Sequence, residues 1–131
     1  MLDTQIWLDW LVFDDPGVRL LRDLVHLGRA EIVIDAACDA ELERVLAYDL
    51  GKHSISAEAQ LAALGQARRL ARRVEVEAGQ RLPQCRDPDD QKFIELAAAA
   101  GADVLVTKDR ELLRMQRHVR FRIEQPEKIR V

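Results

Sequence analysis

The chain is poor in the residues that several common site chemistries require. Its two cysteines, Cys38 and Cys85, lack C-x-x-C spacing, and its three histidines, His26, His53 and His118, form no ligand pair at helical spacing. Both facts argue against a zinc site and leave the thiols as small buried or incidental hydrophobes. No G-x-x-x-x-G-K or G-x-G-x-x-G run occurs, which disfavours a nucleotide-binding module. A phosphatase of the haloacid-dehalogenase type needs a second Asp two residues after its strand-end aspartate, where this chain has Gln5. No stretch approaches a membrane span. Asp3, Asp9, Asp14 and Asp15 occupy the region where a signal peptide needs a basic start, so a cytoplasmic location without membrane contact is expected. Aromatic residues make up only 5%, yet 48% of the chain is apolar and 33% charged, a balance that argues against disorder. A length of 131 residues is enough for one good core and too little for two, so a single domain over residues 1–131 is expected. The net charge of −3 averages over local patches and does not exclude a basic face.

Strand and helix signals alternate. Met1 to Thr4 reads as a strand stub entering an apolar helix over Gln5 to Phe13, and Asp15-Pro16 reads as the start of a helix through Leu27 that Gly28 ends. The β-branched run Glu31 to Asp35 precedes a helix from about Ala37 to Leu50. Ser56 caps a further helix to about Val76, and Gly79 to Pro83 break the pattern. A helix opened by Asp87-Pro88 runs through Ala100, followed by a strand from Ala102 to Thr107, a short helix capped by Asp109, and a last strand over Val119 to Ile123. This order predicts an α/β fold, with a central parallel sheet of about four to five strands and helices on both faces.

What is abundant is acid at predicted strand-to-helix junctions: Asp3, the cluster Asp87-Pro88-Asp89-Asp90, and Thr107-Lys108-Asp109. In open parallel sheets, ligands bind outside the carboxyl ends of the strands, so acids distant in sequence can converge there. Converged carboxylates repel unless a cation lies between them, and hard divalent ions take oxygen ligands. Each acid also has a structural reading. Helix capping accounts for Asp87 and Asp109, but three acids at one N-terminus exceed what capping needs, which leaves Asp90 open. Asp3, beside Leu2 and Ile6, would be partly buried and need a partner. On the helix from Ala37, Glu41 and Glu43 flank the apolar stripe of Cys38, Leu42, Val45 and Leu46, and periodicity does not choose between them; Asp49 falls within that stripe without explanation. On the helix from Ser56, Arg68, Arg69, Arg72 and Arg73 project to one side, as an RNA-backbone surface or as a solvated face.

The segments Leu2-Asp3-Thr4-Gln5-Ile6-Trp7, Glu41-Leu42-Glu43-Arg44-Val45-Leu46, Asp87 to Phe93 and Thr107-Lys108-Asp109-Arg110 together resemble the acidic motifs of the PIN domain family, in order and over nearly the whole chain. Within that family the chain is similar to the branch of toxin components of toxin-antitoxin systems. The resemblance, not the periodicity, selects Glu41 over Glu43 and Asp90 over Asp89. It implies Asp3, Glu41, Asp90 and Asp109 as catalytic, metal-binding acids holding Mg²⁺ or Mn²⁺ for hydrolysis of RNA phosphodiesters. It also implies a cognate antitoxin and a homodimer. The alternative is a PIN-like protein weakened in catalysis that serves as an RNA- or protein-binding module. Two departures stand out: Gln5 replaces the usual Asn, and only Met1 and Leu2 precede Asp3, so the first strand is expected to be clipped.

Overall fold

A computed structural model describes residues 1–48, 55–75 and 90–129. Six α-helices and four short strands are found there: α1 (Thr4–Leu11), α2 (Arg19–His26), β1 (Ile32–Ile34), α3 (Ala36–Leu46), α4 (Ala57–Leu70), β2 (Ala71–Arg73), α5 (Gln91–Ala99), β3 (Val104–Val106), α6 (Arg110–Arg114) and β4 (Arg122–Glu124). The fold is mixed α/β and mostly helical.

The expected sheet of four to five strands is not what the described residues form. They form two parallel two-stranded sheets, β1 with β2 and β3 with β4, and Leu2 bridges Val106 in parallel. The strands are short because the chain turns into helix almost at once. After Leu2 comes Asp3, whose carboxylate accepts from the Ile6 amide and caps α1; after Ile34 comes Asp35, which caps α3 through the Cys38 amide. Near the end of β3, Asp109 caps α6 through the Glu111 amide. Local capping chemistry therefore sets acids at the carboxyl ends of three extended segments.

The helix expected to reach Val76 stops at Leu70. Ala71 is extended (φ −105°, ψ 139°), and Ala71–Arg73 pair with Ile32–Ile34 in parallel register, Ile32 opposite Ala71 and Ile34 opposite Arg73. Tertiary pairing of an apolar strand overrides a modest helix preference here, and it removes Arg72 and Arg73 from the helix face expected to carry them. The last strand also lies later than expected, at Arg122–Glu124 instead of Val119 to Ile123. The Gln116 amide group engages the Phe121 carbonyl and the Ile123 amide, and a 3-10 turn over Met115–His118 consumes the preceding residues. The first helical turn after Asp15 is likewise 3-10, Pro16–Val18. Gly28 and Gly101 both have positive φ (73° and 62°), as helix-terminating glycines do.

Ile6, Trp7, Leu42, Leu46, Ile94, Leu96, Leu105 and Leu112 are essentially inaccessible, so the core lies between α1, α3, α5, α6 and β3. Cys38 belongs to it as a free thiol, its pKa pushed up by burial and by neighbouring Asp35, in keeping with a core hydrophobe. A cleft of about 1130 Å³ opens at the starting ends of the strands, lined by Met1, Ile32, Ala102 and Val104 among others, away from the strand-end acids. No described helix is long and apolar enough to cross a membrane. His53, Asp49, Gly51, Gly79, Pro83, Cys85, Asp87 and Asp89 lie outside the described residues.

Candidate functional site

Asp3 is the centre of the acidic end. Its backbone amide donates to the Val106 carbonyl at 3.1 Å, which ties it to the end of β3. Its carboxylate is buried (5% exposed), with one oxygen accepting from the Ile6 amide at 3.0 Å and the other from the Thr107 hydroxyl. These two neutral donors are its hydrogen-bond partners, and they do not offset the cost of burying charge. Burial accordingly pushes its pKa up to about 6; the bonds from Thr107 and Ile6 oppose the shift, and the charges of Asp109 and Asp9 add to it. Thr107 is fully buried, and its oxygen also accepts from the Asp109 amide at 2.9 Å. One hydroxyl thus joins Asp3 to the turn carrying Asp109, whose own carboxylate caps α6 at 2.8 Å from the Glu111 amide.

The two glutamates of α3 take different directions. Glu41 accepts from the Thr4 hydroxyl at 2.6 Å through Oε2 and meets Lys92 Nζ at 3.1 Å through Oε1. Both side chains of that ion pair are largely covered, at 17% and 21% exposed. Glu43 is exposed and faces Arg68 at 3.6 Å. The structure therefore sets Glu41, through Thr4, beside the segment of Asp3, and turns Glu43 away. Asp90 precedes α5 in helical geometry, half-buried, and its side chain does not cap the helix. It lies two residues before Lys92, on the turn that reaches Glu41.

The four arginines do not form one face. Arg68 and Arg69 sit in the last turn of α4, and Arg72 and Arg73 on β2. Arg68 clasps both oxygens of Asp39 at 2.9 and 2.7 Å, and Arg73 stands 3.7 Å from the same carboxylate. Arg72 pairs with Glu31. Among the described residues no ion pair involves Arg69.

Several site residues escaped sequence reasoning. Asp9 is buried (3% exposed), accepts from Gln5 Nε2 at 3.0 Å and faces Lys108 Nζ at 2.5 Å; Lys108 also reaches Asp15 at 3.3 Å. Those contacts raise the Lys108 pKa. An acid inside the apolar run Ile6-Trp7-Leu8-Asp9-Trp10 was the available signal. Gln5 finds its partner in Asp9, one turn along α1. Lys92 and Thr107 lie inside the acidic motifs, where sequence alone gave them no role, and Asp39 gave no signal beyond its place in the first turn of α3.

Among the described residues no three acid, histidine or cysteine side chains stand close enough together to hold a metal ion. The donors still suit a hard divalent cation: they are carboxylate oxygens, and buried Asp3 feels the charges of Asp109 and Asp9 with no ion pair of its own among the described residues. Asp3, Glu41 and Asp109 would each exchange a present partner for the ion. In comparisons with known proteins, no curated protein and no solved structure matches the chain. The PIN domain family model does match, over residues 1–111, a span that contains Asp3, Glu41, Asp90 and Asp109. With more than half its length covered, the chain belongs to the PIN domain family, in general a nuclease fold.

Proposed function

We propose that this protein is a metal-dependent ribonuclease in which Asp3, Glu41, Asp90 and Asp109 hold Mg²⁺ or Mn²⁺. The observation that carries the reading is the state of Asp3, a buried carboxylate at a strand end, held by a hydroxyl and an amide, with the charges of Asp109 and Asp9 adding to the effect of burial. Asp35 is also a buried strand-end cap, so burial alone does not single out Asp3; the Thr107 hydroxyl that ties its second oxygen to the Asp109 turn does. When bound, the ion would activate a water and offset the charge that builds on the phosphorus and the leaving oxygen. The chain's own residues prepare for this. Thr107 fixes Asp3 relative to the Asp109 turn, Thr4 orients Glu41 towards the same segment, and Lys108 ties that turn to α1 through Asp9.

RNA contact is proposed for Arg68, Arg69, Arg72 and Arg73, with Arg69 foremost because the other three are engaged by acids. The same reading extends to a single domain over residues 1–131 and to the toxin of a toxin-antitoxin pair, with an antitoxin partner and a homodimer. A neighbouring reading frame encoding a small DNA-binding protein would support that role.

The direct experiment is cleavage of end-labelled RNA by highly purified protein with Mn²⁺ and with EDTA. Cleavage that EDTA abolishes supports the nuclease. RNA binding without cleavage in either buffer would favour the non-catalytic reading.

A further inference from the structure

Lys92 engages one of the acids proposed to hold the metal. Its ammonium lies 3.1 Å from Glu41 Oε1, in an ion pair that is largely covered on both sides, while the second Glu41 oxygen accepts from Thr4. The ammonium also lies 5.1 Å from the centre of the Phe93 ring, which favours a cation at this spot. A carboxylate held this way is neutralised, and a divalent ion that uses Glu41 has to take it from Lys92.

We propose that Lys92 is an internal counter-cation of the metal-free site, competing with the divalent ion for Glu41 and thereby setting the metal affinity. This rests on the reading of Glu41 as a metal-site acid. Binding becomes an exchange: the ion gains Glu41 and the Lys92–Glu41 pair opens. By reciprocity, whatever the pair contributes to the metal-free protein is subtracted from ion binding. Lys108 differs in kind, since its carboxylate partners, Asp9 and Asp15, are not among the proposed ligands.

The test is Mn²⁺ affinity measured by isothermal titration and by loss of the free Mn²⁺ spin-resonance signal, neither of which needs turnover. Lys92→Met keeps an apolar stem beside Phe93 and should bind Mn²⁺ at least about fivefold more tightly than wild type. Lys92→Gln provides the same removal of charge should the methionine variant fold poorly. Arg29→Met removes the same formal charge from an exposed position lining the cleft at the other end of the strands and should change the affinity much less. In a Glu41→Gln background, Lys92→Met should no longer strengthen binding. Unchanged or weaker Mn²⁺ binding by Lys92→Met, an equal effect from Arg29→Met, or an effect that survives Glu41→Gln each overturns the proposal. If wild-type protein binds Mn²⁺ and only the Lys92 effect is missing, the nuclease reading stands. If no variant binds Mn²⁺, both fall together.

Discussion

Asp3 and Asp39 each expose only 5% of their surface and both lie at the N-terminal end of a helix, but Asp3 is set deep in the protein whereas Asp39 is covered chiefly by a half-exposed arginine, and their surroundings move them in opposite directions. Asp39 is clasped by both arms of Arg68, with Arg73 nearby, and the guanidinium that covers it also holds its pKa below the usual carboxylate range. Asp3 receives a hydroxyl and an amide, and its pKa rises to about 6. The lesson concerns how to tell a structural acid from a poised one. What separates them is both the depth of burial, which is the main cause of the Asp3 shift, and the counter-charge that the fold supplies at Asp39. At Asp39 three elements, α3, α4 and β2, are joined by the supplied charge; at Asp3 the described residues supply two neutral donors instead.

The contrast is most exposed to failure in turnover. Asp3→Asn should reduce Mn²⁺-dependent RNA cleavage by about 100-fold or more, since even residues behind the ligands of a metal site cost 10- to 100-fold. Asp39→Asn should leave cleavage near the wild-type rate once the lower stability is allowed for. Equal losses in a single-turnover assay would erase the distinction.

The pH dependence of stability should carry opposite signs at the two acids. A native pKa near 6 against an ordinary value of 3.8 means that folded Asp3 binds its proton more tightly than unfolded Asp3 does. Its stabilising contribution is therefore complete below about pH 4 and is lost as the pH rises through 6, on the order of 3 kcal/mol in all. For Asp39 the lowered pKa gives a contribution present above the ordinary carboxylate range and lost as the pH falls through the native value. Urea unfolding of metal-free wild type and Asp3→Asn between pH 4 and 7 should show the variant gaining on wild type as pH rises. Parallel curves would remove Asp3 as the unusual acid.

Breaking the clasp should cost less than that span. Arg68→Met should lower stability by about 2 kcal/mol, a figure kept below that for a fully buried pair because Arg68 is half exposed and Arg73 remains nearby. The smallest effect concerns the arginine outside the clasp. Arg69→Glu should lower the logarithmic salt slope of single-stranded RNA binding by roughly 0.7 for each phosphate that it no longer neutralises, with folding unchanged. An unaltered slope would make Arg69 part of a solvated face.

Local capping was legible in the sequence because its signal is local. Ser56 caps α4, Asp15 opens a turned segment, and Asp109 caps α6, each as the residue types imply. Pairing was less legible. Nothing within Ala71-Arg72-Arg73 announces a strand; its partner is Ile32–Ile34, some forty residues earlier, and its arginines are held by Glu31 and Asp39. The same distance hid Lys92 and Thr107, whose roles depend on Glu41 and Asp3. Periodicity left Glu41 and Glu43 equivalent, since both flank one stripe; the family resemblance chose Glu41, and the folded neighbours, Thr4 and Lys92 on one side and Arg68 on the other, give the physical difference between them.

The Thr107 hydroxyl that joins Asp3 to the Asp109 turn spans 104 residues of chain. A ribosome that has made Asp3 must add all of those residues before the hydroxyl exists, and until then Leu2 and Asp3 lack their β3 partner. Contacts this distant in sequence form slowly, because a long loop must close before they return any free energy. The acidic end is thus assembled late, after most of the polypeptide has been synthesised. Under the proposed ribonuclease reading, a nascent chain that has not yet reached Thr107 lacks the hydroxyl that fixes Asp3.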